Sequence, residues 1–126
     1  MYLNGTDDID FHTATNNSPV VQGMAWGRDI NEESGEVTYW RSLVDQGTDG
    51  TTAVQLVPAV FTDAGKERTV RLVDGFSFYN ADDAAATITV HLNAKTIGAF
   101  TIQTKEHLNW TPANGWQVLS VAGAIS

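Results

Sequence analysis

From Val20 onward, short runs of β-branched and aromatic residues alternate with clusters of Gly, Asn, Asp and Pro, the pattern of strands divided by turns. Residues 20–26 and 37–44 read as strands joined by a polar turn over 31–35, and 45–50 (Asp-Gln-Gly-Thr-Asp-Gly) is a loop. Residues 54–61 form a strand in which Pro58 marks an edge or a bulge. Two strands follow, 69–73 and 76–79, divided by Asp74-Gly75. Residues 87–92 alternate cleanly, with Ile88, Val90 and Leu92 on one face and Thr87, Thr89 and His91 on the other. Asn93-Ala94-Lys95 turns the chain into a strand over 97–103, where Ile97 and Ala99 are two apart. The last strands, 108–110 and 116–121, are joined through Pro112-Ala113-Asn114-Gly115.

No segment holds a helical period; the nearest, 81–86, fits a loop equally well. Strands at a spacing of about ten residues predict an all-β fold, an antiparallel β-sandwich or jelly roll. Residues 1–19 read as an irregular, polar N-terminal arm with one short strand around Phe11, and 20–126 as the sandwich domain. The predicted core comprises Phe76, Phe78, Ile88, Val90, Leu92, Leu108, Trp110, Trp116 and Val118. Tyr39 and Trp40 are adjacent, as are Phe78 and Tyr79, so one member of each pair faces away from the core. Trp26, Tyr39, Trp40 and Tyr79 are therefore the candidates for an interface, with stacking on a sugar ring as the alternative.

Charge narrows the partners. The 126-residue chain carries a formal net charge of −8 with only seven Lys and Arg, which argues against nucleic acid. There are no cysteines, so neither a disulfide framework nor a thiolate metal site is available. No apolar run approaches the roughly 20 residues of a membrane span, and the N-terminus lacks the pattern of a signal peptide.

Catalytic motifs are missing from the sequence. The serines occupy no nucleophile-elbow pattern, and His12, His91 and His107 have no metal-ligand spacing. His91 and His107 could meet across a sheet, but a lone histidine pair is read as exposed or half-buried side chains rather than a metal site. Asp7, Asp8 and Asp10, Asp45 and Asp49, and Asp82 and Asp83 form acidic clusters. The 45–50 loop has glycines suited to calcium but lacks EF-hand spacing, and a solvated Asp turn is the preferred reading. No metal, cofactor or catalytic residue is assigned.

One resemblance adds a setting. The runs Arg71-Leu72-Val73-Asp74-Gly75-Phe76-Ser77-Phe78-Tyr79-Asn80 and Ala86-Thr87-Ile88-Thr89-Val90-His91-Leu92-Asn93 are followed by a closing segment. That segment pairs Glu106-His107-Leu108-Asn109-Trp110 with Gly115-Trp116-Gln117-Val118-Leu119. Together they resemble small β-sandwich domains in virion structural proteins of tailed bacteriophages, over a little under half of the chain. The resemblance implies a non-enzymatic capsid decoration or cement protein on the outer surface of the virion. Its implied partners are the major capsid protein or neighbouring virion proteins, and a homo-oligomer, favoured as a trimer, is expected. A tail, neck or fibre component, including a carbohydrate-binding module using exposed Trp, is the alternative.

Overall fold

The computed structural model describes residues 1–13, 21–45, 53–60, 68–81 and 84–120. Ten strands build two antiparallel sheets that pack face to face as a β-sandwich. They are β1 (Tyr2–Leu3), β2 (Ile9–Thr13), β3 (Val21–Asn31), β4 (Val37–Asp45), β5 (Val54–Val57), β6 (Thr69–Asn80), β7 (Ala86–Leu92), β8 (Lys95–Ile102), β9 (His107–Thr111) and β10 (Gly115–Leu119). Sheet A runs β10-β9-β6-β3-β4, with β1 paired to β6, and sheet B runs β5-β2-β7-β8. Among the described residues there is no α-helix.

The period-2 patterning places the core between the sheets. Ile9, Phe11, Ile88, Val90 and Ile102 of sheet B meet Val21, Ala25, Phe76, Phe78 and Leu108 of sheet A, all fully buried. Of the predicted core residues, Phe76, Phe78, Ile88, Val90 and Leu108 are buried, while Leu92, Trp110, Trp116 and Val118 pack against them partly covered. Phe11 meets Phe78 edge-on across the sandwich, ring centroids 5.1 Å apart. Trp116 stacks near-parallel to Phe76 and reaches across to Phe100 at 5.3 Å. Its indole lies over Gly98 of β8, where an added Cβ would come within 2.8 Å of the ring.

Three features depart from the sequence reading. The expected strand at Phe11 is present as β2, yet it lies inside sheet B between β5 and β7, and β1 joins sheet A with Leu3 buried. Residues 1–13 thus belong to both layers, because Leu3, Ile9 and Phe11, absent from the predicted core, supply core side chains. Asp74-Gly75 does not end a strand: β6 runs through it, with Asp74 as the extra residue of a bulge between the Trp26–Gly75 and Gly27–Val73 pairs. Ile97 and Ala99 do not share a face either. Ile97 is the extra residue in a second bulge opposite Val90 and His91, so it leans on the core while Ala99 is exposed.

The strand expected over 54–61 is an edge strand of sheet B, but β5 ends at Val57, directly before Pro58, whose missing N–H cannot extend the ladder. The 93–95 turn is a two-residue hairpin loop between Leu92 and Lys95, with Asn93 and Ala94 both at positive φ (51° and 67°). A buried ion pair crosses the inner face of sheet A: Arg71 donates from Nε and Nη2 to Asp29 at 2.8 and 2.9 Å, and from Nη1 to the Pro58 carbonyl.

Candidate functional site

The two outer faces of the sandwich differ in chemistry. That of sheet B is polar: Thr87 and Thr101 bond hydroxyl to hydroxyl at 2.7 Å, and His91 Nδ1 meets Asp10 Oδ1 at 2.9 Å. His12 stacks on His91 with ring centroids 4.9 Å apart. Partial burial, then the neighbouring His91, hold the His12 imidazole below the ordinary histidine range, against an opposing pull from Asp10.

The outer face of sheet A carries exposed aromatic and aliphatic side chains among polar ones. Antiparallel register brings side chains into rows on that face. One row is Tyr2, Leu72, Arg28 and Tyr39; another is Ser77, Met24 and Leu43, flanked by Asn109; a third is His107, Tyr79, Gln22 and Asp45. Tyr39 is 78% exposed, Leu43 70%, Tyr2 55% and Val37 46%, an unusual share of large apolar side chains in solvent. Trp26 packs over Gly75 on the same face and leaves no room for a Cβ there.

Polar groups on this face are arranged locally. Arg28 grips Asp74 through two 3.0 Å bonds, and this pairing raises the guanidinium pKa further. The bulge makes the pair possible by turning Asp74 outward beside β3. Ser77 Oγ bonds Asn109 Oδ1 at 2.8 Å, and the Tyr79 and His107 rings meet at 4.7 Å. Gln22, Met24, Leu43, Ser77, Tyr79 and His107 line an open groove of about 370 Å³.

The interface candidates separate on this geometry. Trp26, Tyr39 and Tyr79 share the outer face of sheet A. Trp40 does not join them: alternation along β4 turns it inward, where it packs against the core with Arg71 5.1 Å from its ring centroid. Its indole N–H is buried without a hydrogen-bond partner among the described residues. His91 and His107 do not meet, since they lie on the outer faces of opposite sheets; His12 is the histidine that β2–β7 pairing brings to His91. Asp7 and Asp8 are engaged in the turn beside Asn93, through Asn93 Nδ2 to Asp7 and the Asp8 amide to Asn93 Oδ1.

No group of three His, Cys, Asp or Glu is placed to hold a metal ion among the described residues. Residues 46–50, most of the loop weighed for calcium, and Asp82 and Asp83 lie outside the described residues. The sequence reading missed the Arg28–Asp74 and Arg71–Asp29 pairs. Adjacent Arg28 and Asp29 on a strand signal opposite-face partners, but not which ones. No protein family, curated protein or solved structure matches the chain.

Proposed function

We propose that this chain is a non-catalytic assembly protein that docks neighbouring proteins on the outer face of sheet A. The observation that carries this reading is the exposure of Tyr39 and Leu43 beside Trp26 and Tyr79 on one rigid sheet. Aromatic and aliphatic anchors on a preformed surface give binding energy with little ordering cost. The motifs of the C-terminal half supply the setting: the outside of a tailed-phage particle, as a decoration or cement protein on the major capsid lattice. A net charge of −8 suits that surface better than a DNA-lined interior. Binding only to the assembled lattice stabilises it by mass action.

Mass spectrometry and imaging of purified particles test the setting. The expected result is a copy number matching the capsid lattice; a few copies at one vertex would move the protein to the neck or tail. The docking face is tested by Tyr2→Ser with Tyr39→Ser, two exposed positions on that face, with Leu43 left in place. This double variant is expected to weaken particle binding at least about tenfold while folding normally.

A second reading follows from the groove. Gln22, Ser77 and His107 offer polar groups beside the Tyr79 ring, an arrangement that accepts a sugar. Glycan-array binding that is lost in Tyr79→Ala would favour it over protein docking.

A further inference from the structure

Among the described residues five strands pair on one side only, and four of them are short or interrupted; β1, in sheet A, has two residues. In sheet B, β5 has four residues and runs into Pro58, and β8 is bulged at Ile97 and opens on Lys95. In sheet A, β10 has only five residues. Short length, proline, bulges and lysine are the usual means of blunting an edge. The fifth strand, β4, has none of these, and its exposed charges are Arg41 and Asp45. It runs nine residues in unbroken register with β3, without Pro, Gly or a bulge, and is rich in β-branched and aromatic residues. A long, uninterrupted edge of this kind is a template for a further strand.

The side chains of β4 also say what that strand is. Arg41, Leu43 and Asp45 project from the same face, and all three are exposed. Among the described residues neither Arg41 nor Asp45 makes an ion pair or side-chain hydrogen bond. The two opposite charges are spaced symmetrically about Leu43. A strand with both halves of a charge match on either side of an apolar centre is complementary to itself.

We propose that β4 is a self-pairing edge: two copies of this chain join antiparallel along it, about a two-fold axis at Leu43. In that register Leu43 packs on the partner's Leu43, and Ser42 lies opposite the partner's Val44. Arg41 faces the partner's Asp45, and the symmetry makes this ion pair twice. Other two-fold registers lose the match. An axis at Arg41 sets two arginines against each other, and one at Ser42 leaves both charges facing uncharged side chains. Sheet A then continues through both copies and its outer face is doubled, which makes the particle-binding surface bivalent. The pairing yields a dimer in place of the trimer expected from sequence. It does not depend on what that outer face binds.

Sedimentation and light scattering of the full chain over a wide concentration range test this. The wild-type protein is expected to be a dimer. Arg41→Asp and Asp45→Arg each set like charges face to face twice, and each is expected to weaken the dimer at least about tenfold. The double variant Arg41→Asp with Asp45→Arg restores the opposite pairing and is expected to restore the dimer. Circular dichroism should show all three folded, because both positions are exposed. A wild-type monomer at every concentration would overturn the proposal, as would a dimer indifferent to either single reversal. Failure of the double variant to re-associate would also overturn it, since the Leu43 register requires that rescue.

Discussion

Asp29 and Arg71 form a buried ion pair on the inner face of sheet A. Their side chains are 3% and 6% exposed, and the guanidinium is held by the carboxylate, by the Pro58 carbonyl and by the Trp40 ring. Removing one partner leaves the other charge buried. Asp29→Ala is therefore expected to cost about 3–5 kcal/mol, read as a lower urea midpoint. That is a large part of the roughly 5–15 kcal/mol available to a domain. His12 provides a pH-linked counterpart. Its folded pKa is lowered, so the unfolded chain takes up the proton first as pH falls. Its contribution is complete above about pH 6.5 and is lost as pH drops below that value. The thermal midpoint should decline from about pH 7.5 to about pH 5.5, and His12→Asn should make that decline shallower. An unchanged slope would exclude His12 as its source.

Turn chemistry governs the elements. In the β7–β8 hairpin the two loop residues both need positive φ, a region Asn tolerates and Ala does not favour. Ala94→Gly is expected to stabilise the protein by roughly 0.5–1 kcal/mol, since relief of the left-handed strain exceeds the added freedom of the unfolded chain. Thermal unfolding measures it, and a destabilised variant would contradict the turn assignment. The hairpin and the alternation of β7 were legible in sequence, because both depend on residues close along the chain. The long course of β6 was not. Asp74-Gly75 has the composition of a turn, and pairing with β3 on one side, the Met1–Val73 backbone bonds on the other and Trp26 packing on Gly75 keep the strand extended there.

For the molecule as a whole, the core between the sheets is separate from the exposed outer face of sheet A, the surface proposed for docking. Phe78→Ala opens a cavity between the sheets and is expected to cost about 3–5 kcal/mol. Tyr2→Ser with Tyr39→Ser touches only exposed positions and should alter stability by no more than about 1 kcal/mol by chemical denaturation. A large loss there would mean that these side chains stabilise the fold and are not held free for a partner. By itself the sequence determined the all-β class, most strand positions, the inward face of β7 and β9, and the outward turn of one residue in each adjacent aromatic pair. These follow from period-2 alternation and turn residues, which act over a few positions. Only the tertiary structure decided that residues 1–13 are built into both sheets, that Trp40 turns inward while Tyr39 turns out, and that Asp29 finds Arg71. It also decided that Met24, Leu43 and Tyr79 share one groove. Those outcomes depend on which strand lies beside which, and pairing between distant strands is set by packing of the entire core.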